Sequence, residues 1–502
     1  MAAALLISYF VAVASLSILG LHRLVMAAVA WRAHRAPSET PRRLAEQAQA
    51  PSLLVQLPLY NEALVAERLM RAAGALRYPE GRWQIQVLDD STDETQRVVD
   101  RAAAELSAQG VPIVVVRRPE RTGYKAGALA YGLTQSSHEC VAIFDADFMP
   151  QPDFLERTVA ALFESDDVGM VQARWGHDNR NTSWLTRAQA VFLDGHFSVE
   201  HTARAALGHY FNFNGTAGVW RRRTIDEAGG WRAATITEDL DLSYRAQLAG
   251  WRFRYVDDVV TPAELPESWV AFRTQQARWV KGSVETARLL MGPVLKAKLP
   301  WHLRIDAAVH LGQNFAYPLM ALLATLLPAA VILRDQLSWR VPGGQALLSV
   351  LDLSMLAVGT CAMMVFYGVA AARTHGRLGP LQLIEILFAL CVGAGMSLTN
   401  TAEVLAGLWS KDSEFVRTPK RGASANKQVY RSPLRWGRLG LEVVYLGYFC
   451  WAIAYAFAWS LWGAMPFLAM YAVGFAAVSL RSGLEILRPG LRGALATQRS
   501  QA

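Results

Sequence analysis

The sequence predicts an α/β domain with a mainly parallel sheet, inserted between transmembrane helices. Apolar residues make up 52% of the 502-residue chain and charged residues only 18%, against about 25% charged in an ordinary soluble protein. The apolar excess lies at the start of the chain and after residue 305. Between these regions, short apolar runs alternate with helical stretches, a pattern typical of a parallel sheet.

Composition excludes several other classes of protein. The mean hydropathy of +0.17 excludes disordered and fibrous architectures. The four cysteines, Cys140, Cys361, Cys391 and Cys450, form no C-x-x-C pair, so neither a zinc site nor a disulfide framework is supported. The net charge of +8 is typical of a membrane protein with basic cytoplasmic loops. No nucleic-acid motif is present, so we expect no nucleic-acid partner.

The first predicted element is a transmembrane helix over residues 1–31. Residues 4–21 carry no charge, and the basic residues follow this run, beginning with His22 and Arg23. A secretory signal has the reverse arrangement, with basic residues first and a small-residue cleavage site afterwards. We therefore predict a retained helix whose C-terminal end is cytoplasmic, followed by a polar linker over residues 32–50.

The aqueous domain is predicted over residues 51–300. Its strand-length apolar runs are SLLVQL, WQIQVLDD, VPIVVV and CVAIFDAD, and helices are predicted over residues 63–76, 93–106 and 125–133. Two of the strands end directly in acidic residues. In open parallel sheets, ligands bind at the carboxyl ends of the strands, so these acidic residues stand where a site is expected.

A second membrane region is predicted over residues 301–502. Residues 307–333 and 345–372 are each long enough to span, and the uncharged run 443–480 is predicted to form two spans separated by a hairpin at Pro466. With the N-terminal helix, this makes five spans with the N-terminus outside.

Segment 378–409 is apolar but is not predicted to be a simple span. The residues that follow it, 411–435, are strongly basic, and so is the loop Arg373–Arg377 that precedes it. Both loops should therefore be cytoplasmic. The segment between them is predicted to be re-entrant, interfacial or built of two half-spans.

Four polar motifs could carry chemistry. They are Asp89-Asp90-Ser91-Thr92-Asp93, Asp145-Ala146-Asp147, Thr237-Glu238-Asp239 and Gln275-Gln276-Ala277-Arg278-Trp279. Asp145 and Asp147 follow a strand, where two carboxylates can reach one hard cation such as Mg²⁺ and share it with substrate phosphates. An Asp-x-Asp pair also occurs in ordinary turns and helix caps.

The other motifs each have a functional and a structural interpretation. Asp89 and Asp90 could bind a ribose or base, or cap the next helix. Lys125, within GYKAGAL, stands at a helix start that favours anions, or at a plain turn into a helix. The segment TEDLDL offers a carboxylate for general-base work, or a surface turn with a capping acid. Arg278 could stabilise a diphosphate and Trp279 could stack on a sugar, or their helix could be interfacial.

In this order and ahead of membrane spans, the motifs resemble those of the processive family-2 glycosyltransferases, which include the cellulose, chitin, hyaluronan and mannan synthases. The closer likeness is to the cellulose synthase-like A group, the glucomannan 4-β-mannosyltransferases. It covers residues 54–290 and rests on VQLPLYNE, IQVLDDSTD, GYKAGAL, VAIFDADFMP, VQARW, FNGTAGVWR, EAGGW and EDLDLSYRAQLAGW. It returns at residues 414–420, which resemble a gating loop.

The resemblance implies a GT-A, Rossmann-like catalytic domain, inversion at the anomeric carbon and Mg²⁺ or Mn²⁺ as cofactor. It assigns the nucleotide-sugar to Asp89, Asp90, Lys125 and Asp145, and the metal to Asp145 and Asp147. Asp239 would be the catalytic base, with Glu238 and Arg278 as further catalytic residues. Binding of the acceptor is assigned to Gln275, Trp279, Asn214 and Gly215. Residues 411–437 would form the gating loop, with Phe415, Thr418 and Lys420 as its functional residues.

The expected function is transfer of a hexose from a nucleotide-sugar to the end of a growing β-linked polysaccharide, with secretion through the bilayer. The RTPK segment resembles bacterial cellulose synthases, whereas VKGSVE after Trp279 differs from the plant group, so GDP-mannose and UDP-glucose both stay open as donors. The expected location is the inner (plasma) membrane with a cytoplasmic catalytic domain. Whether an accessory secretion partner is required stays open. The alternatives are a non-processive, ceramide-type lipid glycosyltransferase and a catalytically inactive export partner.

Overall fold

The computed structural model describes residues 2–35, 50–338, 344–409 and 436–499. The strands are β1 (Leu53–Leu59), β2 (Trp83–Asp89), β3 (Ile113–Val116), β4 (Cys140–Ile143), β5 (Val168–His177), β6 (Gly218–Arg221) and β7 (Arg252–Ala263). The helices are α1 (Ala2–Arg35), α2 (Ala66–Gly74), α3 (Thr95–Ala108), α4 (Tyr124–Thr134), α5 (Phe154–Leu162), α6 (Trp184–Asp194), α7 (Thr202–Leu207), α8 (Arg222–Glu227), α9 (Glu238–Leu248), α10 (Trp269–Lys296), α11 (Trp301–Gly312), α12 (Ala316–Ser338), α13 (Gly344–His375), α14 (Pro380–Gly395), α15 (Ser397–Trp409), α16 (Trp436–Ala458) and α17 (Met465–Arg499).

The strands form one seven-stranded sheet in the order β3-β2-β1-β4-β6-β5-β7. The neighbours of β1 are parallel to it, β3 is parallel to β2, and β7 is parallel to β5. Only β6 runs antiparallel to its neighbours β4 and β5. The predicted mainly parallel sheet is confirmed, and the carboxyl ends of β1, β2 and β4 meet at one edge.

The central strand β1 is buried on both faces, as expected where helices cover both sides of a parallel sheet. Because successive side chains point to opposite faces, Leu53, Val55 and Leu57 join one hydrophobic core and Leu54 joins the other. The second core is rich in aromatic residues, including Phe213, packed edge-on against the fully buried Trp220. This double-sided packing fixes the strand ends that carry the polar motifs.

The predicted strands and helices of the first half of the domain are confirmed with boundary shifts of a few residues. The predicted strand WQIQVLDD becomes β2, ending at Asp89, and the predicted helix over residues 93–106 becomes α3. Strands β5, β6 and β7 correspond to no predicted element.

Five helices of the described residues are long and apolar enough to cross a membrane. They are Ala4–Ala33, Trp301–Leu333, Leu356–His375, Trp436–Ala458 and Met465–Leu487. This confirms the predicted number of helices flanking the α/β domain. The hairpin predicted at Pro466 lies earlier in the chain, since the turn occupies residues 459–464 and Pro466 lies in the first turn of α17. Proline is tolerated there because the first helical N–H groups need no intrahelical partner.

Segment 378–409 forms two helices, α14 and α15, bent by 51° at a short break. Such a pair is either a broken span or a re-entrant loop, which are among the forms that the charge pattern predicts. The gating-loop residues Phe415, Thr418 and Lys420 lie outside the described residues.

Buried ion pairs fasten the α/β domain to the helix bundle. Arg273 of α10 donates two hydrogen bonds, of 2.8 and 2.9 Å, to Glu442 of α16, and neither side chain is more than 3% exposed. Arg180 and Arg187 both bind Glu385 of α14, which is 2% exposed. Glu485 of α17 accepts from the backbone N–H groups of Trp269 and Val270, at the start of α10. Helix α10 is therefore held at several points by the bundle.

Candidate active site

A cleft of about 220 Å³ opens at the carboxyl edge of the sheet and is closed on the bundle side by α10. It brings together the ends of β1 and β4, the start of α9 and the middle of α10. Its acidic lining residues are Glu62, Asp90, Asp145, Asp147, Glu238, Asp239 and Glu264, and its cationic ones are Arg121, Lys125 and Arg278. Most of the residues that the sequence singles out thus face one cavity, which carries an excess of carboxylates.

Lys125 is the centre of the acidic group. Its Nζ donates to Asp145 Oδ1 at 2.5 Å and to the Gly215 carbonyl at 2.9 Å, and lies 4.0 Å from Glu238. Burial lowers the pKa of Lys125, but the carboxylates of Asp145, Glu238 and Asp239 outweigh burial, and the net pKa is raised. Lys125 therefore stays charged and offsets part of the acidic cluster.

Gly215 allows the loop after Phe213 to approach Asp239. Its φ of +81° lies in the left-handed region that favours glycine. A Cβ there would stand 3.1 Å from Asp239 Oδ2 and 3.3 Å from Lys125 Nζ. Any larger residue would crowd the carboxylate, so the sequence Asn214-Gly215 leaves space beside Asp239.

Glu238 and Asp239 occupy the first turn of α9, where Glu238 is buried and Asp239 is partly buried. Burial, reinforced by the charge of Glu238, raises the pKa of Asp239 to about 7. Burial also raises the pKa of Glu238, against the opposing effect of Lys125. A partly buried carboxylate that faces a cleft and has a raised pKa has the basicity expected of a general base.

Asp89 and Asp90 each meet an arginine from the loop after β3. Asp90 receives two hydrogen bonds from Arg118, at 2.5 and 2.9 Å, whereas Asp89 receives one from Arg117 at 2.9 Å. Asp89 also accepts from the Ser91 N–H, but neither aspartate caps α3, whose N-cap residue is Glu94. Asp90 faces the cleft, while the buried Asp89 does not line it.

These arginines were not among the residues predicted from the sequence. The signal was present in the run Arg117-Arg118-Pro119-Glu120-Arg121, which directly follows a strand that ends at the same sheet edge as Asp90. Arg121 extends the cleft, since its guanidinium lies 3.4 Å from the centre of the Tyr60 ring and 4.9 Å from that of Tyr124. Both rings line the cleft, so a flat cation–aromatic surface stands near Asp90.

The sequence of this region matches a known family. The model of the family described as Glycosyltransferase like family 2 matches residues 51–282. This part of the chain is a family-2 glycosyltransferase domain. The resemblance to that family, drawn from the motifs, is confirmed.

Curated plant proteins are similar over the same part. The glycosyltransferase domain is 46% identical over 252 residues to the probable glucomannan 4-beta-mannosyltransferase 7 of Oryza sativa subsp. japonica, covering 49% of this chain and 43% of the rice protein. It is 44% identical over 255 residues to glucomannan 4-beta-mannosyltransferase 7 of Arabidopsis thaliana, covering 50% of this chain and 46% of that protein. The matched part is about half the length of these relatives.

Among solved structures, a mannosyltransferase from Pyrobaculum calidifontis, in complex with GDP-Man and Mn²⁺, has a similar fold. The TM-score is 0.51 at 21% identity, over 80% of this chain and 100% of that one. The likeness supports the GT-A fold, with its mixed but mostly parallel sheet.

Asp145 and Asp147 follow β4 of the glycosyltransferase domain and both line the cleft. The Asp145 backbone N–H donates to Thr216 Oγ1 at 2.9 Å, which fixes the turn that presents the two carboxylates. No group of three or more His, Cys, Asp or Glu side chains among the described residues is arranged to hold a metal ion. Two carboxylates suit a hard cation that takes its other ligands from phosphates and water.

Gln275, Arg278 and Trp279 of α10 face the same cleft, as their spacing of three and four residues predicts. Their neighbour Gln276 faces a second chamber, of about 390 Å³, inside the helix bundle. Leu193 and Phe192 show the same division, with Leu193 on the cleft and Phe192 on the chamber. The two cavities are therefore separated by the width of a few side chains.

Asn214 also lines the cleft, with its side chain held between two histidines, the buried His201 and the partly exposed His196. Its Nδ2 lies 2.8 Å from His196 Nε2, and its Oδ1 lies 2.8 Å from His201 Nε2. The sequence analysis assigned Asn214 to the acceptor but did not predict either histidine. They lie on a helix far from every motif, so only the tertiary structure brings them to this loop.

Proposed function

We propose that this protein is a membrane-embedded hexosyltransferase that transfers mannose from a nucleotide-sugar, with inversion, to the end of a growing β-linked mannan. The observation that carries the proposal is the cleft itself, in which Asp90, the Asp145–Asp147 pair and the carboxylate of Asp239 face one space. Mannose is favoured over glucose by the glucomannan 4-beta-mannosyltransferases, which are 46% and 44% identical over the catalytic part.

The proposed reaction is a single in-line displacement. The oxygen of the acceptor hydroxyl forms a bond to the anomeric carbon of the donor sugar, and the bond from that carbon to the diphosphate oxygen breaks. The acceptor proton goes to the Asp239 carboxylate, whose raised pKa suits it to accept a proton near neutral pH. Attack opposite the leaving group inverts the configuration.

The departing nucleoside diphosphate carries negative charge, which the cleft must stabilise. Arg278 lines the cleft, and Lys125 lies against Asp145, so both are suited to contact the diphosphate. A Mg²⁺ or Mn²⁺ ion, held by Asp145 and Asp147, would supply Lewis-acid stabilisation of the leaving group. Asp90, paired with Arg118 and next to the Tyr60–Arg121 surface, is suited to the nucleoside.

Secretion of the product is the second part of the proposal. The bundle chamber combines amide and hydroxyl side chains such as Gln276, Asn314 and Tyr317 with aromatic ones such as Phe272 and Tyr471. This lining suits a sugar chain, which presents hydroxyls on its edges and C–H groups on its faces. Because adjacent residues face the cleft and the chamber, a polymer end at Trp279 would need to cross only a thin wall.

The membrane placement follows the charge pattern. We propose an inner-membrane protein with a cytoplasmic catalytic domain, because the basic residues that follow the apolar run 4–21 and those around Arg373 mark cytoplasmic ends. The binding partners would be the nucleotide-sugar, the polysaccharide and the lipid bilayer.

The test supplies isolated membranes containing the protein with labelled GDP-mannose and UDP-glucose separately, each with Mg²⁺ or Mn²⁺. We expect label from GDP-mannose in material that survives both lipid extraction and protease, and that a β-mannanase releases. Label from UDP-glucose alone would overturn the donor assignment. Membranes containing the Asp239→Asn protein are the matched control for endogenous enzymes.

The same measurement separates the alternatives. Label confined to the organic phase would identify a lipid glycosyltransferase, with the apolar half of the chamber, around Leu323 and Leu327, serving a lipid acceptor. No transfer from any donor, together with intact folding, would favour an inactive export partner. Full activity in EDTA would remove the metal role of Asp145 and Asp147.

A further inference from the structure

The helix that carries the two histidines beside Asn214 changes its hydrogen-bonding pattern at that point. Residues Gly195–His201 form a π-helical stretch between α6 and α7. In an α-helix of about 3.6 residues per turn, residues five apart point in clearly different directions. In a π-helix the bonds run from i to i+5, which brings such residues close to one face. The π-helical stretch therefore allows His196 and His201 to grip the same side chain, with ring centres 4.3 Å apart.

The protonation of both rings is fixed by groups that can only accept hydrogen bonds. His201 Nε2 lies 3.0 Å from the carbonyl oxygen of Asn212, so this nitrogen must be the donor. His196 Nδ1 lies 3.0 Å from the Glu200 carboxylate, so Nδ1 carries the hydrogen there, and Nε2 is free to accept. The Asn214 amide then has one consistent orientation, donating to His196 and accepting from His201.

Burial keeps both rings in the neutral form that this arrangement needs. Burial lowers the pKa of His201 to about 4, and burial, with the neighbouring His201, holds the pKa of His196 well below its ordinary value. A protonated His196 would present a hydrogen at Nε2 to the Asn214 amide hydrogens. The neutral pair thus fixes the amide through complementary tautomers.

The contacts that hold Asn214 continue toward the cleft on one side and toward the helix bundle on the other. On the cleft side, the Asn214 backbone N–H donates to Gln172 at 2.9 Å. The carbonyl of the next residue, Gly215, accepts from Lys125, and a Cβ at Gly215 would stand 3.1 Å from Asp239 Oδ2. On the bundle side, Glu200 forms an ion pair with Arg23 of α1. The π-helical stretch is itself pressed on the bundle, since a Cβ at Gly195 would stand 2.7 Å from the rings of Phe366 and Tyr367.

We propose that His196 and His201 are positioning residues for transfer, which hold the Asn214–Gly215 loop at the distance from Asp239 and Lys125 that the acceptor needs. The inference rests on the proposed function and adds to it a tie from the first membrane helix to the catalytic base, through Arg23 and Glu200. Neither histidine lines the cleft, so both act through Asn214.

The test compares apolar with amide replacements. His196→Leu and His201→Leu remove the grip, whereas His196→Gln and His201→Gln can each restore one hydrogen bond to Asn214. We expect the leucine variants to lower kcat about 10- to 100-fold, the loss typical of a misplaced catalytic group. The affinity for the nucleoside diphosphate, measured by titration, should stay unchanged because Asp90 and Arg118 are untouched. The glutamine variants should recover most of kcat.

The control is His138→Leu, which removes a histidine bonded to Ser136 just before β4 begins, away from the cleft. Equal losses in the leucine and glutamine variants, or leucine variants with wild-type kcat, would overturn the proposal. A wild-type protein inactive with every donor would instead overturn the proposed function. Histidine ¹⁵N spectra then still decide the geometry, since we expect Nδ1–H for His196 and Nε2–H for His201, and two identical tautomers would refute it.

Discussion

Carboxylates are placed differently in the helix bundle and in the cleft of the α/β domain. In the bundle, Glu442 and Glu385 are each met by arginine from the catalytic part, in pairs almost closed to solvent. In the cleft, Asp145, Glu238 and Asp239 converge on the Lys125 ammonium. Each bundle carboxylate is thus fully compensated by arginine, one for Glu442 and two for Glu385, whereas the cleft is left acidic.

The difference shows in the effect of each group on stability. A buried ion pair with satisfied hydrogen bonds recovers much of its desolvation cost, and breaking it leaves an uncompensated charge. In the cleft the pKa of Asp239 is raised to about 7. Its charge therefore destabilises the folded protein as pH rises through that pKa. The bundle pairs therefore hold α10 in place at little net cost in stability, whereas the cleft keeps a charge that destabilises the folded protein.

Asp239→Asn should give the largest effect on activity. Asparagine has the same shape but cannot accept the acceptor proton, so kcat should fall by about 10²- to 10⁴-fold. Binding of the nucleoside diphosphate with Mg²⁺ should persist, because Asp239 acts on the acceptor. Since the charge of Asp239 is destabilising, the variant should unfold at the same or a higher temperature.

The matched control is Asp226→Asn, which removes an exposed carboxylate on α8. It should change neither kcat nor the unfolding temperature. Near-normal turnover in Asp239→Asn would show that another group takes the proton.

Arg273→Met should give the largest effect on stability. It leaves the buried Glu442 unpaired inside the bundle, at a cost of about 3–5 kcal/mol. Thermal unfolding of the detergent-purified protein should show a clear decrease in Tm. Arg101→Met, which removes an exposed partner of Glu67, should cost less than about 1 kcal/mol.

The double variant Arg273→Met/Glu442→Met sharpens the comparison. Removing both charges should restore most of the lost stability, because an apolar pair of similar volume needs no desolvation. If the double variant is as unstable as the single one, packing of Arg273, rather than its charge, fastens α10.

The sequence predicts the catalytic domain better than the bundle for a physical reason. Strand β1 is a short apolar run with buried side chains on both faces, and Asp89 ends β2 in the same register as Leu59 ends β1. Local patterns therefore decide these elements, and the sheet edge gathers their ends. The charge pattern also predicts that the segment forming α14 and α15 is not a simple span, because the basic loops on both sides of it place its two ends on the same side of the membrane.

The rest depends on contacts between residues far apart in the chain. Glu442 lies 169 residues from Arg273, and His196 lies 18 residues from Asn214 on a different element. Neither partner has a local pattern that distinguishes it from an ordinary charge or imidazole. Strands β5, β6 and β7 were not predicted either, and their order in the sheet depends on distant pairing, since β6 lies between β4 and β5 although it follows β5 in the chain.

A smaller effect is expected from Arg118→Lys at the nucleoside end of the cleft. Arg118 holds Asp90 through two parallel hydrogen bonds, a geometry that a lysine ammonium cannot reproduce. Loss of one charge-assisted bond should raise the donor KM about tenfold, with kcat nearly unchanged. A fall in kcat at constant KM would place Asp90 in the chemical step instead.

The smallest effect expected is a shift in the pH profile. The base must be deprotonated, so kcat/KM should fall as pH decreases through the pKa of Asp239, which burial and Glu238 raise to about 7. This acid limb lies well above the ordinary aspartate pKa of about 3.9. Glu238→Gln removes the like charge, so the limb should move to lower pH, by on the order of one unit.

The shape of the limb carries further information. Glu238 and Asp239 lie side by side, so the wild-type limb belongs to the pair, and removing Glu238 should leave a single ionisation. Glu227→Gln, an exposed carboxylate at the end of α8, should leave the limb in place. An unmoved limb in Glu238→Gln would mean that burial alone sets the basicity of Asp239. The acidic excess of the cleft would then serve cation binding rather than proton transfer.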